Sequence, residues 1–146
     1  MGGKSTVRTW IRQCALVLCA AALPAAALVA QAKRGPQVKI IAPVNGATVT
    51  APVTIKLQAT GVKIVPATVE RPGTGHHHLF VDHDLTWITD TIPAGSPGIL
   101  HLGRGQTEFV LDSLKPGPHR VIAVVADWRH IPLNPLVADT VTFIVK

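Results

Sequence analysis

Short segments rich in β-branched and other apolar residues recur along the chain after residue 37. They are Val38–Ala42, Val53–Ala59, His77–Val81, Thr107–Leu111, Arg120–Ala126 and Val137–Val145. Residues 53–58 alternate apolar with polar side chains, as a half-buried antiparallel strand does. None of these segments shows a sustained helical period with capping residues. The pattern therefore predicts an all-β chain.

Turn-forming residues separate the segments at close intervals. They are Asn45-Gly46, Thr60-Gly61, Pro72–Gly75, Pro93–Gly98, Pro116–Pro118 and Asn134-Pro135. Six to eight short strands in a little over one hundred residues are typical of a two-sheet sandwich. We therefore predict an immunoglobulin-like antiparallel β-sandwich. The cysteine pair and the tyrosine of antibody-type domains are missing after residue 32, so the prediction concerns the architecture and not a specific topology.

The N-terminus has the three parts of a secretory signal peptide. These are the positive charges of Lys4, Arg8 and Arg12, the apolar run Cys14–Val29 and the cleavage pattern Ala30-Gln31-Ala32. We predict that residues 1–32 are a cleaved signal peptide and that residues 33–146 are the β-sandwich domain, located in the periplasm or secreted. The apolar run is shorter than the about 20 residues of a membrane-spanning helix. We therefore expect no stable membrane anchor after cleavage.

Cleavage would change the chemistry that the chain offers. Cys14 and Cys19 are the only cysteines and Met1 is the only methionine, so the domain would have no disulfide, thiolate or thioether ligand. Cleavage would also remove three of the 14 Lys and Arg residues and none of the 8 acidic ones, so the net charge falls from +6 to +3. The remaining cations are scattered and lack interleaved aromatic residues. We expect no nucleic-acid partner.

Three consecutive histidines, His76, His77 and His78, begin a predicted strand. Side chains alternate across a strand, so His76 and His78 share one face and His77 takes the other. Alternate Cα atoms are about 7 Å apart, which allows two imidazoles to converge on one ion. Neutral imidazole suits both Cu(II) and Zn(II). The triplet therefore suggests the first two ligands of a metal site.

Two ligands are too few for a specific site, and three further histidines are candidates. His101 precedes a glycine-bearing turn, His119 follows the turn at 116–118, and His130 follows the predicted strand at 120–126. Sandwich domains build their sites in loops and at strand ends. We predict a copper or zinc site formed by His76, His78, His101, His119 and His130. A carrier or sensor would fill every coordination position with protein ligands, whereas a catalytic site would leave one open.

An alternative interpretation assigns the histidines a structural role, because imidazoles also hold loops through hydrogen bonds to backbone carbonyls. The domain would then be a non-enzymatic module of the cell envelope that binds a protein or a glycan. Support for catalysis is weak: Ser96 and Ser113 lack an elbow motif, and Gly103-x-Gly105 lacks the helix of a phosphate-binding loop. We predict no catalytic residue, and a binding protein is favoured over an enzyme.

Four short sequence motifs, in a fixed order along the chain, resemble those of a known family. They are Gly73–Asp82 (GTGHHHLFVD), His101–Glu108 (HLGRGQTE), Pro116–His119 (PGPH) and Asp127–Pro132 (DWRHIP). Together they resemble a bacterial family of short exported domains, domain of unknown function 4399, over about Val62 to Val145. The resemblance implies that the motifs belong to one recurring module, and it implies no activity. Where the family pattern would place a further histidine after His130, this chain has Ile131–Pro135.

Overall fold

The computed structural model describes residues 2, 35–93 and 95–146. Apart from residue 2, the predicted signal peptide of residues 1–32 lies outside the described residues. Lys33–Lys146 forms one compact unit. Across the described residues, no helix has the length and apolar character that a membrane crossing requires.

The described part of this unit contains nine strands in two sheets. They are β1 (Gln37–Ala42), β2 (Ala47–Val49), β3 (Val53–Thr60), β4 (Lys63–Ile64), β5 (Thr74–Val81), β6 (Ile99–Leu102), β7 (Glu108–Leu111), β8 (Gly117–Ala126) and β9 (Ala138–Val145). The smaller sheet has the order β1-β3-β7, and the larger has the order β2-β9-β8-β5-β4, with β6 also paired to β5. The pairings are antiparallel except β2 with β9 and β4 with β5. The predicted immunoglobulin-like β-sandwich is confirmed.

All six segments predicted from the hydrophobic pattern form strands, but three further strands were missed. These are β2, β4 and β6, which have only three, two and four residues. Two predicted strands also begin earlier than expected. β5 starts at Thr74 and β8 at Gly117, so the histidine triplet and His119 lie inside strands and not at their first residues.

The main core lies between the two sheets. In β3 the alternate residues Val53, Ile55 and Leu57 are buried, while the polar residues between them are exposed or half-buried. They belong to the same apolar cluster as Leu79 of β5 and Val125 of β8. Because Leu79 points into this core, the alternation of the strand also sends His77 inward and sends His76 and His78 to the opposite face.

A second apolar cluster covers that opposite face of the larger sheet. Its buried members are Phe80, Ile92, Ile99, Val124 and Ala126, and Leu85, Trp87 and Ile122 pack against them. Several of these residues belong to the segment between β5 and β6. The Ile92 N–H also donates to the His130 carbonyl at 2.9 Å, which joins this segment to the loop after β8. β5 is therefore buried on both faces, which explains why residues 79–81 are apolar at both parities.

We expect Leu79→Ala to lower the free energy of unfolding by about 2–5 kcal/mol, because it leaves a cavity at a fully buried position. Leu136 is 47% exposed, so Leu136→Ala should change it by no more than about 0.5 kcal/mol. Urea unfolding of the two variants and the wild type measures both values. Equal losses in the two variants would contradict the described core.

Candidate metal centre

The histidine triplet is almost inaccessible to solvent, with exposed fractions of 1% for His76, 0% for His77 and 2% for His78. Strand pairing determines what surrounds the two outward rings. His78 lies directly opposite His101 of β6, and His76 lies opposite Ala126, the last residue of β8. The larger sheet therefore brings His101 beside the pair, and the chain leaves β8 next to His76.

The loop after β8 is braced by Asp127. One carboxylate oxygen accepts hydrogen bonds from the backbone N–H groups of Arg129 at 2.8 Å and Ile131 at 3.1 Å, and the other contacts the Arg129 guanidinium at 2.8 Å. Partial burial raises the pKa of the Asp127 carboxyl, but these bonds outweigh burial and hold it below its usual value. His130 adopts a left-handed backbone conformation with φ of 65°, uncommon for a non-glycine residue. The braced turn holds its ring 4.9 Å from the His76 ring, centroid to centroid.

Four histidines converge on the outer face of β5: His76, His78, His101 and His130. Each offers one ring nitrogen such that all four nitrogens lie within 4.8 Å of one another. The Nε2 atoms of His76 and His78 are 3.0 Å apart, and those of His101 and His130 are 3.3 Å apart. With a Zn–N distance of about 2.0–2.1 Å, tetrahedral ligands are about 3.3 Å from one another. The two short separations therefore match those of a tetrahedral four-nitrogen site, and the whole group, spread over as much as 4.8 Å, could hold a metal ion.

Burial and mutual repulsion keep the imidazoles of His76, His78 and His101 neutral by lowering their pKa values. Burial, followed by the charges of His101 and His130, lowers the pKa of His76 to about 4. Burial, followed by the charge of His76, lowers the pKa of His78 to about 3. Burial and then His130 also lower the pKa of His101. Neutral rings keep the lone pairs that a metal ion requires, so the cluster is prepared for coordination at neutral pH.

His119, also predicted as a ligand, lies elsewhere. Its Nδ1 donates to the Asp82 carboxylate and its Nε2 to the Lys115 carbonyl, both at 2.7 Å. Partial burial lowers the pKa of His119, but these two hydrogen bonds outweigh burial and the pKa is raised. Both nitrogens act as donors, which is the state of a charged imidazolium. His119 is therefore corrected from a candidate ligand to a partner in an ion pair.

The sequence contained a signal that separates His119 from the cluster. His119 and His130 flank the same predicted strand, Arg120–Ala126, so they belong to its opposite ends. The seven steps along the chain from His119 to Ala126 correspond to about 23 Å in a strand. No such signal was available for the small strand β6, which places His101 beside His78.

The remaining triplet member, His77, points into the core between the sheets. Its Nδ1 is 3.0 Å from the Gln106 carbonyl, and burial outweighs this bond and lowers the pKa of the ring. Two buried ring nitrogens, Nε2 of His77 and Nδ1 of His78, have no hydrogen-bond partner among the described residues. His77 therefore belongs to the core and contacts the loop at 103–107 through the Gln106 carbonyl.

A family model described as a domain of unknown function (DUF4399) matches residues 55–146, which include the four clustered histidines. The chain belongs to this family. No curated protein matches this DUF4399 chain. Among solved structures, it is similar to fibronectin(III)-like modules of Clostridium thermocellum CbhA, with 16% identity, a TM-score of 0.43, and coverage of 75% of this chain and 96% of that chain.

We expect the metal-free DUF4399 domain to lose stability as the pH falls from about 6.5 toward 4. The folded state keeps His76 and His78 neutral, whereas the unfolded chain protonates them near pH 6.5. Their neutral rings therefore contribute fully to the free energy of unfolding above about pH 6.5, and this contribution is lost as the pH falls below that value. Urea unfolding with a chelator at pH 7.5, 6 and 5 should show a steeper loss for the wild type than for a His76→Gln/His78→Gln variant. Parallel profiles would contradict this assignment.

The stabilising contribution of His119 should depend on pH in the opposite direction. Because its folded-state pKa is raised, its contribution is complete below about pH 6.5 and is lost as the pH rises through that raised value. We expect His119→Gln to lower the free energy of unfolding by about 1 kcal/mol at pH 6 and by less at pH 9. The loss at pH 6 is modest because Asp82 is exposed to solvent. Urea unfolding of both proteins at the two pH values measures the difference. A cost that is the same at both would argue against the ion pair with Asp82.

Proposed function

We propose that this DUF4399 domain binds one divalent metal ion, Cu(II) or Zn(II), through His76, His78, His101 and His130. The observation that carries the proposal is the convergence of four ring nitrogens to within 4.8 Å of one another. They come from β5, β6 and the loop after β8, which are distant in the sequence. Loop bracing by single histidines would not require rings from three elements to face one point.

The cost of burial supports a bound ion over a purely structural cluster. Polar groups removed from water are unfavourable unless they find partners. In the cluster, the two short nitrogen–nitrogen contacts, His76 with His78 and His101 with His130, leave much of the hydrogen-bonding capacity of the rings unused. A divalent ion would accept all four lone pairs at one centre. The free energy of coordination would then offset the burial of the rings.

The ligand chemistry supports copper or zinc among the common ions. The four ligands are neutral imidazoles, which suit Cu(II) and Zn(II), whereas Ca²⁺ and Mg²⁺ require oxygen ligands. Cu(II) generally binds nitrogen sites more tightly than Zn(II) does. Four protein ligands fill a tetrahedral coordination shell, which favours holding a metal ion over catalysis at the metal. The exposed side chain of His101 provides a side from which the ion exchanges with solvent.

The proposal includes a location outside the cytoplasm, in the periplasm or after secretion. It is supported by the charged residues Lys4, Arg8 and Arg12, the apolar run Cys14–Val29 and the cleavage pattern Ala30-Gln31-Ala32. N-terminal sequencing of the protein recovered outside the cytoplasm is the direct test of this part. Lys33 at the N-terminus supports export with cleavage.

Metal analysis by mass spectrometry tests the binding function on untagged protein that is expressed from the full chain and purified without chelator. We expect near-stoichiometric copper or zinc, because four imidazoles hold the ion and two of them are buried. The His76→Ala/His78→Ala variant should lose it. A His83→Ala/His119→Ala variant is the matched control, since it removes two histidines outside the cluster and should keep the metal.

Thermal unfolding with added ions provides the second measurement. An ion that binds only the folded state increases the free energy of unfolding and so raises the melting temperature. The gain is about 2.7 kcal/mol when the free ion concentration is 100 times its dissociation constant. Protein that is purified free of metal and unfolds identically with and without Cu(II) and Zn(II) would refute the proposal. That result would favour the envelope interaction module, with the histidines as scaffold, and would direct attention to a protein or glycan partner.

A further inference from the structure

Gly103 directly follows β6 and lies against the ring of His101. A Cβ atom built on Gly103 would overlap Cε1 and Nε2 of that ring and would lie 3.0 Å from its Nδ1. The φ angle of Gly103 is not in the left-handed region, in contrast to Gly105, whose φ is 78°. The backbone conformation at 103 therefore does not demand glycine. The position of the His101 ring does.

The backbone around Gly103 is fixed on several sides. The Gly103 carbonyl accepts a hydrogen bond from the Ala67 N–H at 2.9 Å, and Arg104 forms a β-bridge with Pro66. The Arg104 N–H donates to the Gln106 side chain at 2.7 Å. These bonds oppose any shift of the main chain that would make room for a side chain at 103.

The His101 ring yields more easily than this backbone, because the overlapping atoms are the far end of a side chain. His101 is exposed, at the rim of the cluster, so rotation about its side-chain bonds takes the ring into solvent without opening the core. His76 and His78 would remain buried behind it. A methyl group at position 103 would therefore displace one ligand atom and leave the fold intact.

We propose that Gly103 is a positioning residue of the metal site: its missing side chain leaves the space in which the His101 ring reaches the other three histidines. This inference rests on the proposed metal binding. Gly103 acts on the site only through the position of the His101 ring and does not contact the ion.

The test compares Gly103→Ala with the wild type, both expressed from the full chain. Gly35→Ala is the matched control, because a Cβ there meets nothing within 4 Å and its φ is not left-handed. We expect Gly103→Ala to weaken Zn(II) binding about 10- to 100-fold in calorimetry. Electron paramagnetic resonance of Cu(II)-loaded protein should show one nitrogen ligand fewer. The urea midpoint of the metal-free protein should stay unchanged, and Gly35→Ala should match the wild type throughout.

A double-mutant cycle and a metal-free measurement separate the possible outcomes. In a His101→Ala background, Gly103→Ala should cause no further loss of affinity, since its effect passes through that ring. Nuclear magnetic resonance of the metal-free variant should show His101 ring shifts changed, because the ring leaves its neighbours His76 and His78, now 4.9 and 5.0 Å away between centroids.

Equal Zn(II) affinity in Gly103→Ala and the wild type would overturn this inference and leave the proposed function standing. An unfolded Gly103→Ala protein would also overturn it, because the inference requires that the ring yields and not the backbone. A wild-type protein that binds neither ion would refute the proposed function itself, and this inference with it.

Discussion

The burial of β5 on both faces is the constraint on which the rest of the structure depends. One face of this strand lies in the sandwich core and the other lies under a covering segment, so its residues are buried except the half-buried Val81. Because side chains alternate, the inward position of Leu79 also fixes the sides of His77 and of the pair His76 and His78. A slip of one residue in register would exchange these faces and dismantle the cluster. The apolar packing of Leu79 and Phe80 therefore determines the placement of the imidazoles.

Assembly of the cluster then depends on two neighbours of β5. β6 supplies His101 through direct cross-strand pairing with His78, and the turn after β8 supplies His130. These contributions differ in how they are fixed. His101 is fixed by strand register and by the space beside Gly103, whereas His130 depends on a loop braced by Asp127. The buried pair forms a rigid base, and the two remaining histidines form the rim.

Much of the fold could be predicted from the sequence, because alternation and turn residues report directly on half-buried strands such as β3. The alternation of side chains along a strand also placed His76 and His78 on one face, but it could not show which face of β5 points into the core, because residues 79–81 are apolar at both parities. The place of His101 was not predicted, because Ile99–Leu102 is a four-residue strand without alternation, and its partner is determined by long-range pairing. His130 was proposed without its geometry, since a left-handed turn braced by Asp127 becomes visible only in three dimensions. His119 was wrongly grouped with His130, because the two residues lie at opposite ends of the same predicted strand.

The two histidine environments argue for different chemistry. His119 faces a carboxylate and a carbonyl, which favour an added proton. The cluster has no comparable acceptor among its described neighbours, because the oxygens of Asp127, the nearby carboxylate, are engaged by Arg129 and by backbone N–H groups. Burial, and then repulsion between the rings, lowers the pKa values of His76 and His78, so both disfavour protons in the cluster. One divalent ion would place its charge at a single centre among four lone pairs. The arrangement is therefore unfavourable for protonation and well matched to a metal ion.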